Sequence, residues 1–154
     1  MRTRTVLASL ALFVGAVALA SAEDVNMGTW KLNEAKSKIS QGAPKNSTVA
    51  YAAAGDKVKV TVDGTDAQGK ASHSEWTGLF DGKDYAVSGD PTSDMRSYKR
   101  IDDHTLEFTG KKGGKVTVSG RVVVAADGKS RTVTTDGTDA KGAKLSSTAV
   151  YDKQ

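Results

Sequence analysis

From Glu23 onward, hydrophobic and polar residues alternate with a period of two and nowhere sustain a helical spacing. Val58, Val60 and Val62 point one way, and Lys57, Lys59 and Thr61 the other. Trp76 and Phe80 share a face with Ser74 and Gly78, Leu106 and Phe108 flank Glu107, Val116 and Val118 flank Thr117, and Val133 sits between two threonines. Turn signals interrupt these runs at Gly55-Asp56, Asp63-Gly64, Asp81-Gly82, Gly89-Asp90-Pro91, Asp102-Asp103, Gly113-Gly114, Asp127-Gly128 and Asp136-Gly137. Their spacing, about eight to twelve residues, belongs to all-β sandwiches and barrels. The spacing predicts about nine or ten antiparallel strands, near 28–33, 47–54, 57–63, 70–80, 83–88, 94–100, 104–110, 114–125, 129–135 and 143–152. Short links without helical crossovers predict a meander, each strand pairing with the next. The one helical candidate is 33–39, where Asn33 is placed to cap a single turn.

The chain echoes itself. Asp63-Gly-Thr-Asp-Ala-Gln-Gly69 recurs as Asp136-Gly-Thr-Asp-Ala-Lys-Gly142, each after a Val/Thr strand and before a strand ending in aromatic-Asp. Two copies of one long hairpin are implied, too few for a solenoid. In each copy the first aspartate, Asp63 or Asp136, is expected to cap backbone N–H groups of a tight turn. The loops 63–69 and 136–142 also carry the oxygen chemistry calcium uses, but without the alternating ligands and final bidentate Glu of an EF-hand.

Composition narrows the setting. Residues 1–22 have two arginines, an apolar run from Val6 to Leu19 and a small-residue Ala20-Ser21-Ala22 end, the pattern of a general secretory signal peptide cut after Ala22. One domain, 23–154, is expected to follow, periplasmic or secreted. Losing Arg2 and Arg4 lowers the net charge from +4 to +2, and the remaining charge is evenly spread. That leaves no nucleic-acid footprint. The pairs Lys99-Arg100 and Lys111-Lys112 read as solvated turn and edge residues. The absence of cysteine excludes disulfides, thiolate metal sites and an acylated N-terminal cysteine. Lys and Thr along one strand face argue against outer-membrane insertion, which needs an apolar outer band.

Catalytic signals are weak. His73 and Glu75 alternate on one strand opposite Trp76 and Phe80, so they are expected to face water and pair there. His104 follows Asp102-Asp103 in a turn and is expected to be solvated. No nucleophile elbow occurs, and the glycines at 110–115 form a hairpin link with no helix to cradle phosphate. No catalytic residue, metal site or cofactor is assigned. Asn46-Ser47-Thr48 is a formal glycosylation sequon.

At Gly28-Thr29-Trp30-Lys31-Leu32 the chain resembles the calycin superfamily of lipocalins, fatty-acid-binding proteins and avidins. It looks most like small secreted bacterial lipocalin-like proteins of undefined function, which share a Gly-Thr-Trp-Lys-Leu-Asn start, an Asp-Gly-Lys-Asp-Tyr segment (81–85) and a Tyr-Asp-Lys ending (151–153). The resemblance implies an up-and-down β-barrel of about eight to ten strands. In it Trp30 plugs one end and Lys153 is the candidate basic partner on its ring. The departures are the missing flanking helix and mid-chain Thr-Asp-Tyr of lipocalins and the missing helical lid of fatty-acid-binding proteins. Arg96, Arg121 and Arg131 are present, but no ligand contact carries over. The expected function is a non-enzymatic binding protein for a small hydrophobic molecule, lodged against Trp76, Phe80, Tyr98 and Phe108. The alternative is a filled barrel that contacts partners through its loops.

Overall fold

The computed structural model describes residues 23–154, so the expected signal segment lies outside the described residues. Ten antiparallel strands form a closed barrel: β1 (Gly28–Leu32), β2 (Lys45–Ala54), β3 (Lys57–Thr65), β4 (Ala71–Gly78), β5 (Tyr85–Ser88), β6 (Met95–Asp102), β7 (Thr105–Lys112), β8 (Lys115–Val124), β9 (Ser130–Thr138) and β10 (Lys144–Lys153). Each strand pairs with the next in sequence, and β1 closes the ring against β10 through Trp30↔Lys153, Lys31↔Asp152 and Leu32↔Tyr151. The expected meander is therefore the observed fold, with strand ends moved by a few residues.

The expected single turn is a 3-10 turn at Glu34–Lys36. Lys36 N–H donates to Asn33 Oδ1 at 3.2 Å, and Asn33 Nδ2 donates to Asp152 Oδ2 at 2.8 Å, tying the turn to β10. At the start of β1, Gly28 has φ +107°, and a Cβ there would stand 3.0 Å from Lys153 Cε. A side chain would meet both backbone strain and the cation that covers Trp30.

Two turns differ from expectation. Asp63-Gly64 and Asp136-Gly137 lie within β3 and β9, and the chain reverses only after Thr65 and Thr138. The caps are the second aspartates. Asp66 Oδ1 accepts from the backbone of Gln68 and Lys70, both at 2.9 Å, and Asp139 Oδ1 from Lys141 and Ala143, both at 2.8 Å. Gly64 must be glycine for a steric reason: it faces a bulge in β2 between Asn46 and Thr48, and a Cβ there would be 2.1 Å from the Lys45 carbonyl oxygen.

One end of the barrel is stoppered by the residues just before β1. Asn26 is fully buried, and its carbonyl accepts from Trp30 Nε1 at 2.9 Å. Val25 and Met27 pack on the core around it. Asp24 accepts from the Asn26 backbone and side chain, both at 3.0 Å, and pairs with Arg100, whose guanidinium lies over Phe80. Of the pair expected to be solvated, Lys99 is exposed but Arg100 is recruited into this closure.

Partial burial pushes the Asp24 carboxyl up, but the bonds from Asn26 and Arg100 outweigh it and hold the pKa below its ordinary value of 3.8. A lowered folded-state pKa stabilises in full above about pH 4 and fades as pH falls through the lowered value. Thermal melts of the wild type and Asp24→Asn should therefore differ most at neutral pH and converge in strong acid. A gap that stays constant down to low pH would detach Asp24 from the closure.

Candidate functional site

The opposite end is open. Between the 33–44 link, the two twin loops and the 89–94 link, a cavity of about 200 Å³ runs into the barrel. Its mouth is Ala43-Pro44, Asp66 and Asp90-Pro91-Thr92. Its walls are inward residues of alternating strands: Val49, Val62, Phe108, Val118, Val122, Val133 and Leu145, with Ser72, Ser74, Thr135 and Ser147 among them. Its deepest part is lined by Tyr51, Tyr98, Tyr151 and Arg131.

Arg131 is 2% exposed. Its guanidinium carbon lies 4.8 Å from the Trp30 ring centre, 4.9 Å from that of Tyr51 and 5.0 Å from that of Tyr151. Its Nε and Nη1 have no hydrogen-bond partner among the described residues. The second interior arginine has a carboxylate partner, Arg96 Nη2 meeting Asp90 Oδ2 at 2.5 Å with both side chains nearly buried, but its Nε too has no partner among the described residues. Asp90 also accepts from Thr92 N–H and Oγ1, at 2.8 and 2.7 Å, so this carboxylate pins the mouth link to β6. Tyr151 donates to the Asn46 carbonyl at 3.0 Å. Burial raises its pKa to about 12 and raises that of Tyr51 further, so both phenols stay protonated.

The internal repeat is kept in the pairing of its two hairpins. The β3–β4 and β9–β10 hairpins pair in the same register: Val58↔Gly78, Val60↔Trp76 and Val62↔Ser74 in the first match Arg131↔Tyr151, Val133↔Ala149 and Thr135↔Ser147 in the second. Where the first hairpin puts an indole into the interior, the second puts a methyl group. Where the first puts Val58, the second puts Arg131.

The four expected ligand residues divide. Tyr98 and Phe108 line the cavity. Trp76 and Phe80 do not; they lie in an aromatic cluster, with the two rings stacked at 6.3 Å and Trp76 edge-on to Tyr98 at 4.8 Å and to Tyr85 at 5.7 Å. Trp76 Nε1 donates to the Arg96 carbonyl at 2.9 Å. Trp30 is fully buried, with Lys153 Nζ 5.3 Å from its ring centre and Arg131 against it as well. Arg121 lies outside, paired with Glu107. Arg131 was given no role from sequence. Its signal is phase: it alternates with Val133 on β9, so it points inward.

The histidines stay outside the cavity. His73 Nδ1 lies 2.6 Å from Asp63 Oδ1 and Nε2 lies 3.4 Å from Glu75 Oε1, on the exposed face of β3 and β4. The bond to Asp63, then that to Glu75, raises its pKa. His104 N–H donates to Asp102 Oδ1, and its ring reaches the Val124 carbonyl at 3.1 Å. Among the described residues no group of three His, Asp or Glu side chains is placed to hold a metal ion.

No family model matches the chain, and no curated protein matches it. Among solved structures, it is similar to a redesigned β-barrel, mFAP1, bound to DFHBI, at 14% identity over 84% of this chain and 95% of that one, with a TM-score of 0.47.

Burial separates the stability roles of the aromatics. Trp76→Ala should cost about 3–5 kcal/mol, the range for deleting a fully buried large aromatic. Phe108→Ala, which faces the cavity, should cost about half as much or less. Urea unfolding of both variants measures the difference; equal losses would mean that Phe108 is an ordinary core residue.

Proposed function

We propose that this chain is an exported, non-enzymatic carrier of a small, largely apolar molecule held inside the barrel. The observation that carries the reading is the cavity of about 200 Å³, whose wall includes five valines, Leu145 and Phe108, in a barrel stoppered at the other end by Val25, Asn26 and Met27. Concave, mostly apolar sites with a few placed polar groups are where small ligands bind. A ligand giving up about 150 Å² of apolar surface there gains about 4 kcal/mol before association costs.

Membership of the lipocalin-like branch of the calycins is part of the same proposal. It is supported by Gly28 at positive φ, by the burial of Trp30 in the core, by Lys153 on its ring and by the closed meander. Export is supported by the composition of residues 1–22. Within the barrel, Tyr98 and Phe108 are the expected ligand contacts. Trp76 and Phe80 hold Tyr98 in place from behind.

The test is native mass spectrometry of residues 23–154 before and after exposure to a small-molecule extract of the source cells. A discrete added mass, lost on denaturation, is the expected result. Val133→Phe, which projects a ring into the hollow opposite the small Ala149, should abolish the adduct and leave the melting temperature near wild type. A bare mass at saturating extract would reject the carrier and direct attention to the loops.

A further inference from the structure

We propose that the groove between the β7–β8 tip and the β9–β10 tip docks an extended acidic segment of a partner protein, added as a strand against Val116, whatever the barrel carries.

The groove exists because two neighbouring hairpins part company. β8 begins at Lys115 and β9 runs to Thr138, yet their pairing stops at Val118↔Gly137. The β7–β8 tip is drawn toward the mouth link. Gly113 N–H donates to Asp94 Oδ2 at 3.0 Å, Thr117 Oγ1 to the Thr92 carbonyl at 2.9 Å and Lys112 Nζ to the Pro91 carbonyl at 3.2 Å. The β9–β10 tip closes on itself, Asp139 N–H donating to the Ala143 carbonyl at 2.9 Å. Between the tips lies a groove of about 410 Å³, lined by Val116, Thr117, Thr138, Lys144 and Leu145 among others.

The strand edge in this groove is ready to pair. Gly113 and Gly114 have φ +55° and +78°, the two positive values of a two-residue hairpin turn. Across such a turn the flanking residues, Lys112 and Lys115, exchange their backbone hydrogen bonds with each other. The next residue, Val116, therefore turns its N–H and C=O away from β7 and into the groove, where β9 no longer pairs. An added strand takes both groups, the mode by which sheet edges recognise extended peptides.

The same edge carries an apolar seat. Val116 is 60% exposed, the most exposed large hydrophobic among the described residues, and Leu145 lines the groove with it. A residue opposite Val116 on an added strand shares its face.

Charge selects the occupant. Lys112, Lys115, Lys141 and Lys144 stand exposed on the two tips, and none of them is in an ion pair among the described residues. The acids of the tips are Asp136, which accepts from Ser146 Oγ at 2.7 Å, and Asp139, which caps its own loop. The surplus is positive. Two copies of the chain meeting edge to edge would bring these lysines together, the device by which exposed edges resist self-pairing. An acidic segment meets the same lysines favourably.

The test is titration of ¹⁵N-labelled residues 23–154 with the peptide acetyl-Thr-Glu-Leu-Glu-Thr-amide, which sets leucine opposite Val116 and glutamates on the face of Lys115. Its controls are the same peptide with lysines for glutamates and the acidic peptide N-methylated at leucine. The acidic peptide should bind with a Kd of about 1 mM or tighter. It should shift the Val116 amide and slow its hydrogen exchange. The lysine peptide should bind about tenfold weaker at low salt, a ratio that shrinks as salt rises. N-methylation should weaken binding about fivefold or more, because it removes a strand hydrogen bond. Lys115→Glu with Lys144→Glu, both exposed, should reverse the preference between the two charged peptides. Equal binding of those peptides to the wild type would overturn the acidic partner. Binding that leaves the Val116 amide unmoved, or that ignores N-methylation, would overturn the added strand. Val116 shifts that grow with protein concentration without peptide would put a second copy in place of the partner. No binding at about 5 mM peptide would overturn the proposal.

Discussion

Closure of β1 on β10 fixes the width of the interior before any side chain is chosen. About eight strands enclose a space that side chains just fill or that holds one small ligand. Ten enclose more, and residues 23–154 have few large residues to spend: two tryptophans, four tyrosines and two phenylalanines. It concentrates them. Trp30, Tyr51, Trp76, Phe80 and Tyr98 pack with Leu106 and the valines into a dense region backed by the stopper at 24–27. The remainder is left to valine, threonine and serine, which cover strands but cannot reach across. With no cysteine to staple the ring, closure depends on this dense region, on strand pairing and on the Asp24–Arg100 and Asn26–Trp30 contacts.

The strands were legible because both signals that define them are local. A period of two says which residues face together, and Gly, Asp and Pro say where a run must stop. All ten strands and the capping of the 3-10 turn by Asn33 follow from that. Local signals failed where a partner strand decided the outcome. Asp63-Gly64 has the composition of a turn, yet both residues pair with the neighbouring strands and the capping role passes to Asp66. Arg100 looks like a solvated cation until the segment before β1 folds across the barrel end and offers Asp24.

The hollow itself was not legible. Alternation gives the direction of a side chain, not the volume left between facing ones. Trp76 and Phe80 share an inward face with the ligand wall, but they pack on Tyr98 rather than on the cavity. The cage around Arg131 joins residues from β1, β2, β9 and β10, far apart in sequence and brought together only by ring closure. The Arg131 guanidinium covers the Trp30 ring, and its Nε and Nη1 are buried with no hydrogen-bond partner among the described residues.

The matched registers of the two hairpins have an evolutionary consequence. Every inward position of one has a sister in the other at the same place on the pleat, 58 with 131 and 76 with 149. A duplicated segment inside one barrel is released from duplicate duty: one copy can keep the ring standing while the other drifts. Here both faces of the pleat have diverged: inside, Trp76 stands against Ala149, Gly78 against Tyr151 and Val58 against Arg131; outside, Lys57, Lys59, His73 and Glu75 stand against Ser130, Thr132, Ser146 and Thr148, while the two Asp-Gly-Thr-Asp segments keep their resemblance. The shape of the interior can then change through a few sister positions without renegotiating the fold.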